Sequence, residues 1–430
     1  MNSIKLTGIS GVLLAVFCML TILTSQTIAQ AKNDNRPRYK VVDVGTLGGS
    51  FSQAFGVNNR GDVVGFSTTA GDVSLHAFLW RDGLMTDLGI LGAPDTLPYS
   101  IAVSINNSGK VVGNSEISVP DPFGENFCGD FLICRPVVWE SSGISSLPTL
   151  GGTNGVANDV NESGEVGGAA ETEIPDPTCL FPETFHFEPV FWKNGRASRL
   201  PTIGGDPDGF VVGVNDRGEA VGVTLDCAFS PGGHSVLWRH GKALDMNAAG
   251  ADPAAEPSDI NNQSQIAGTA FYGDGSALAM LWQDGVTEVV GALPGHHESH
   301  GNAINNKGQI VGQSCAPSGW PDCSVFLWEN GAMRDLNDLV SDSMVRPMDP
   351  GKINDRGQIV GIALTETGEL HGFLATPNND ASGEAPISAA LLKRPTSAVA
   401  LPEVVQKALQ RQTLLKSRYL GRAVRLKNSR

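Results

Sequence analysis

Apolar and polar positions alternate along most of the chain in short runs bounded by glycine, asparagine, aspartate and proline. That period of two predicts half-buried β-strands rather than helices. One phrase organises the runs: Asn-x-x-Gly-x-Val-Val-Gly. It begins at Asn58, Asn106, Asn161, Asn215, Asn261, Asn305 and Asn354, with successive spacings of 48, 55, 54, 46, 44 and 49 residues. Ser264 stands at the glycine place of the fifth copy. After each of the first six copies an apolar run ends in tryptophan: Trp80, Trp139, Trp192, Trp238, Trp282 and Trp328. The seventh run, HGFLA, has Ala375 at that place. A two-residue turn such as Asp82-Gly83 or Asn194-Gly195 follows each tryptophan run, and then a segment such as MTDLGIL.

Each unit therefore predicts four short strands. Asn-x-x-Gly joins the first to the second, because asparagine bonds the backbone ahead of it and glycine tolerates positive φ. Asp-Gly or Asn-Gly joins the third to the fourth in the tight turn that suits strand twist. Four strands repeated every 40–50 residues are the signature of propeller blades; a solenoid is the competing repeat architecture. The ends of the chain favour closure. Tyr39–Gly49 is a fourth-strand segment with no unit before it, and the last unit ends at His371–Pro377 without a fourth strand. The fold expected is all-β: a seven-bladed β-propeller over residues 37–377, closed by its N-terminal strand.

The repeats resemble those of the HAF-repeat extracellular family, through His76-Ala77-Phe78, MTDLGIL at 85–91 and the NDRGQIVG-type phrase in all seven units. Intact His-Ala-Phe occurs in the first unit only, so the histidine is no shared chemical group. The resemblance implies secretion and repetition, and it transfers no catalytic residue.

Outside the repeats, residues 1–31 read as a secretory signal: Lys5, the apolar run Val12–Leu23 and a small-x-small site at Ala29-Gln30-Ala31. No stretch of the mature chain approaches membrane-spanning length. Residues 378–430 read as a linker and a basic tail, helical in part or disordered, with apolar positions at 401, 404, 405, 408 and 409. The net charge of −15 argues against nucleic acid as a partner. Residues 381–430 carry ten Lys or Arg and two Glu, so electrostatic contact of the tail with the acidic body or an anionic envelope is a second expectation.

Strand alternation places both hairpin turns of every unit at one end. The two-to-three loops and the unit-to-unit crossings lie at the other end, which carries nearly all the length variation. A ligand or partner is expected there. All six mature cysteines fall in two-to-three loops, and their register pairs Cys128 with Cys134, Cys315 with Cys323, and Cys179 with Cys227 across adjacent units. Candidate ligand-binding residues are Trp320, on the loop between Cys315 and Cys323, and the cluster His296, His297, Glu298 and His300. Asp206, Asp208, Asp121 and Glu125 belong to the same end, where solvated surface and calcium binding explain them equally well. Asp43, Asp87, Asp245 and Asp335 recur before the fourth-strand core and are expected to serve the fold. Nucleophile, phosphate-loop, dinucleotide and calcium-loop motifs are missing, so no catalytic residue, metal or cofactor is nominated. The reading is a secreted binding or interaction module for an extracellular glycan or protein. A propeller enzyme acting on polysaccharide, a lyase or hydrolase, is the alternative.

Overall fold

The computed structural model describes residues 38–92, 99–125, 128, 131–179, 185–226, 233–247, 253–319, 322–343, 345–378, 401–403 and 405–406. The signal segment, Trp320, Cys227 and most of the tail lie outside them. The fold is all-β. Five successive units form separate four-stranded antiparallel sheets, each with its strands in sequence order. The third unit, for example, runs Gly151–Val160, Val166–Pro175, Phe185–Lys193 and Arg196–Arg199.

The first and last units share a nine-stranded sheet. Within it, Val345–Ile353, Ile359–Thr365 and Leu370–Asn378 pair in order, and Arg38–Gly45 pairs antiparallel with Leu370–Asn378. Val41 faces Ala375, Val42 faces Leu374 and Asp43 faces Phe373. The leading strand thus takes the fourth place beside the last unit. A side-chain contact fastens it there: His371 Nδ1 lies 2.8 Å from Asp43 Oδ2.

Two features explain the repeated phrase. Asn58 Oδ1 accepts the backbone N–H groups of Arg60 and Asp62, so the asparagine holds its own turn. At its glycine place φ is +88° in Gly61, and the exception, Ser264, still adopts φ +60°. There the Ser264 hydroxyl donates to Glu219 Oε2 at 2.6 Å, which offsets the strained backbone. The glycine that ends Val-Val-Gly answers a different demand. A Cβ on Gly65, Gly222 or Gly361 would collide with the first-strand carbonyl of Gln53, Phe210 or Asp349. The first strand bulges near this point, with register shifts at Ala54/Gly56, Val211/Gly213 and Pro350/Ile353, and only glycine lets the second strand pass.

All six repeat tryptophans are buried and anchor the contacts between strands. The recurring aspartates serve the fold as expected. Asp43, Asp87, Asp245 and Asp335 accept backbone N–H groups from Gly45, Gly89, Asn247 and Asn337. The described part of the tail touches the body through apolar contact: Val405 is fully buried in a cluster with Phe51, Ile101 and Met348, and Leu401 packs against it.

Candidate functional site

The repeated Asn turns meet in a ring of hydrogen bonds. Each motif asparagine donates from Nδ2 to the backbone carbonyl of the next: Asn58 to Asn106, then Asn161, Asn215, Asn261, Asn305 and Asn354, at 2.9–3.2 Å. Asn354 donates back to Asn58 at 2.7 Å. A second cycle runs one residue further on. The N–H groups of Asn59, Asn107, Glu162, Asp216, Asn262 and Asn306 each donate to the side chain of the following member. Asp355 N–H closes this cycle on Asn59 Oδ1 at 2.9 Å.

These rings line a cavity of about 140 Å³ at the end of the first strands where the Asn turns lie. Below them Lys352 Nζ contacts Asp259 Oδ1 at 2.7 Å and Asp159 Oδ2 at 3.3 Å. Ser104 Oγ and the Val214 N–H also donate to Asp159, and the Ile304 N–H donates to Asp259. Burial works against the Lys352 charge, but the two carboxylates outweigh it and hold the ammonium above the usual lysine range. Burial and the neighbouring Asp159 push Asp259 up, against the pull of Lys352. At the rim, burial and the charges of Asp216 and Asp355 push Glu162 up. The asparagine bonds and the Lys352 contacts join the first strands of different units around this cavity.

Sequence reasoning missed the Lys352 triplet. A signal existed: two residues before each motif asparagine stand Gly56, Ser104, Asp159, Gly213, Asp259, Ala303 and Lys352, three charges among small residues.

At the opposite end the sequence candidates are dispersed. His296 Nδ1 lies 3.1 Å from Ser314 Oγ. His300 contacts Thr269 and Glu298, each at 3.2 Å, and the His297 N–H donates to the Cys315 carbonyl. These histidines do not converge on one point. Cys128–Cys134 and Cys315–Cys323 are bonded, and Cys179 is disulfide-bonded as well. Asp121, Glu125 and Asp208 require a correction: they are buried, not solvated. Asp121 Oδ2 accepts from Thr153 Oγ1 and Asn154 Nδ2, both at 2.9 Å, and Glu125 Oε2 accepts from Asn154 Nδ2 at 3.1 Å. These bonds join the second unit's long loop to the third unit's first strand, which explains why the acids left the surface. Among the described residues, ligand atoms of Asp176, His186 and Asp208 lie within 4.8 Å of one another.

Four large apolar side chains stand exposed at this end, Phe123 49 % and Phe131 53 % on the second unit's loop and Val119 49 % and Ile174 47 % near the ends of the second strands of the second and third units. Phe123 meets Phe185 edge-on at 4.6 Å between ring centroids, which links the second-unit loop to the third unit. The loop-rich end therefore offers an apolar surface on a cross-linked frame.

A model of a protein family of unknown function, DUF3466, matches residues 45–276, more than half of the chain. The chain belongs to the DUF3466 family. No curated protein matches it. Solved structures resemble this family member at low identity. A puromycin-hydrolyzing peptidase of Mycobacterium tuberculosis is 12 % identical, with a TM-score of 0.46 over 79 % of this chain and 56 % of the peptidase. The chain thus spans little more than half of that enzyme. The β-propeller domain of the Trilobed protease from Pyrococcus furiosus is 11 % identical, with a TM-score of 0.34 over 68 % of this chain and 100 % of that domain. An ulvan lyase is 10 % identical, with a TM-score of 0.37 over 78 % and 95 % of the two chains.

Proposed function

We propose that the chain is a secreted seven-bladed propeller of the HAF-repeat kind, closed by its N-terminal strand, which works as a non-catalytic binding module. Closure is supported by the return of both hydrogen-bond cycles to Asn58 and Asn59 and by the ladder between Arg38–Gly45 and Leu370–Asn378. Export is supported by the disulfides and by the apolar leader of the sequence. Among the described residues no helix is long and apolar enough to cross a membrane.

The observation that carries the binding role is the exposed set Val119, Phe123, Phe131 and Ile174 on the second strands and long loop of the second and third units. Exposed apolar surface on a stiff scaffold costs solubility and marks a contact surface. The partner is an extracellular protein or glycan that offers apolar faces, seated at the loop-rich end. An enzyme of the lyase type would need converging His, Arg, Tyr or Lys side chains in the central funnel. Among the described residues, Val405 of the chain's own tail is buried in an apolar cluster with Phe51, Ile101 and Met348 of the first strands.

The test is a glycan and peptide array probed with the mature chain, with polymer mass followed in parallel. The module reading predicts binding that Phe123→Ser/Phe131→Ser removes, at constant polymer mass. A steady fall in polymer mass would establish the enzyme instead.

A further inference from the structure

The junction between the third and fourth units holds a buried cluster of two carboxylates and an imidazole, apart from the asparagine ring and the exposed apolar set. Asp176 follows the second strand of the third unit, His186 begins the third strand, and Asp208 begins the first strand of the fourth unit. Their side chains are 0 %, 17 % and 8 % exposed. His186 Nδ1 lies 3.3 Å from Asp208 Oδ1 and 3.7 Å from Asp176 Oδ2.

The oxygens facing His186 are Asp208 Oδ1 and Asp176 Oδ2, the latter also 3.4 Å from Cys179 Sγ. Asp176 Oδ1 accepts both the N–H and the hydroxyl of Thr178, at 2.8 and 2.7 Å. Asp208 Oδ1 accepts the Phe187 N–H at 2.9 Å. Asp208 Oδ2 is buried and has no hydrogen-bond partner. A carboxylate oxygen in that position costs its full desolvation unless a proton or a cation meets it. Calcium favours six to eight oxygens, whereas one imidazole and two carboxylates in a tight triangle suit zinc or manganese.

We propose that Asp176, His186 and Asp208 form a site for a divalent transition cation of the zinc or manganese class, bound through His186 Nδ1 and one oxygen of each aspartate. The cation links the third unit to the fourth beside the disulfide-bonded Cys179, and three protein ligands leave a coordination position open to water or to a ligand atom. The site rests on its own geometry and stands whether or not the loop surface binds a partner.

The test uses the whole mature chain. Metal content is measured after dialysis against Zn²⁺, Mn²⁺ or Ca²⁺, and the thermal midpoint is compared with and without chelator. One equivalent of Zn²⁺ or Mn²⁺ that raises the midpoint is expected. Asp208→Asn should fold and weaken that cation by at least about tenfold, and His186→Ala should do likewise. Stabilisation by Ca²⁺ alone would overturn the assignment. So would the absence of any bound cation together with a chelator-independent rise in the Asp208→Asn midpoint, because the two carboxylates would then share a proton.

Discussion

Asn354 Nδ2 donates to the backbone carbonyl of Asn58 at 2.7 Å, across 296 residues of sequence. The same bond joins every other pair of successive units, so the first and last units meet as any two neighbours do. A repeat array with free ends would leave Asn354 without this acceptor.

Asn354 also accepts the N–H groups of Arg356 and Gln358 and donates to Gln358 Oε1. Asn354→Ala therefore strands buried donors and acceptors on both sides of the seam. A loss of about 2–4 kcal/mol is expected in urea unfolding, and Asn215→Ala should cost a similar amount, because the seam is built like the other junctions. A much smaller loss at Asn354 would show that the seam bears no load.

Lys352 contacts both Asp159 and Asp259, from positions 193 and 93 residues away. Lys352→Met leaves two buried carboxylates facing each other and should cost about 3–5 kcal/mol. Adding Asp159→Asn and Asp259→Asn should restore a large part of that loss, which a thermal melt of the three variants measures. Failure of the added changes to help would detach the lysine from the acids.

Asp62 is buried at the first Asn turn. Burial opposes its ionisation, but Arg81, Asn58 and Arg60 outweigh it and hold its carboxyl at about 2. Its unfolded value is near ~3.9. The folded value is the lower, so this contribution is complete above pH ~4 and is lost as pH falls toward 2. Urea midpoints taken from pH 5 to 2 should fall less steeply in Asp62→Asn than in the parent chain. Equal slopes would contradict the assignment.

Cys179 is disulfide-bonded, and the loop register assigns it to Cys227, which lies outside the described residues. Peptide mapping without reductant should recover 179–227 together with 128–134 and 315–323. Cys179 joined to any other cysteine would refute the register.

The strands were legible because the signals are local. Tryptophan runs, Asn-x-x-Gly and Asp-Gly turns each mark an element within ten residues, and the unmatched segment at Tyr39 marked the strand that pairs with Leu370–Asn378. The asparagines were legible as turn formers through Oδ1, since those bonds reach only two and four residues ahead. Their Nδ2 bonds were hidden, because the acceptor belongs to another unit 44–55 residues on. Lys352 with Asp159 and Asp259, and Asp176 with His186 and Asp208, were hidden for the same reason: their members come from different strands or different units. The acids at Asp121 and Glu125 were misjudged because loop position suggested solvent, whereas Asn154 of the next unit buries them.

The closed ring is tested most directly by a cross-link between the ends of the chain. Val42 and Leu374 face each other on adjacent antiparallel strands, a geometry within disulfide range. In Val42→Cys/Leu374→Cys, exported under oxidising conditions, non-reducing mass spectrometry should find the new pair bonded, with the thermal midpoint above that of the reduced form. Free thiols at both positions, with a midpoint that does not depend on reductant, would contradict closure.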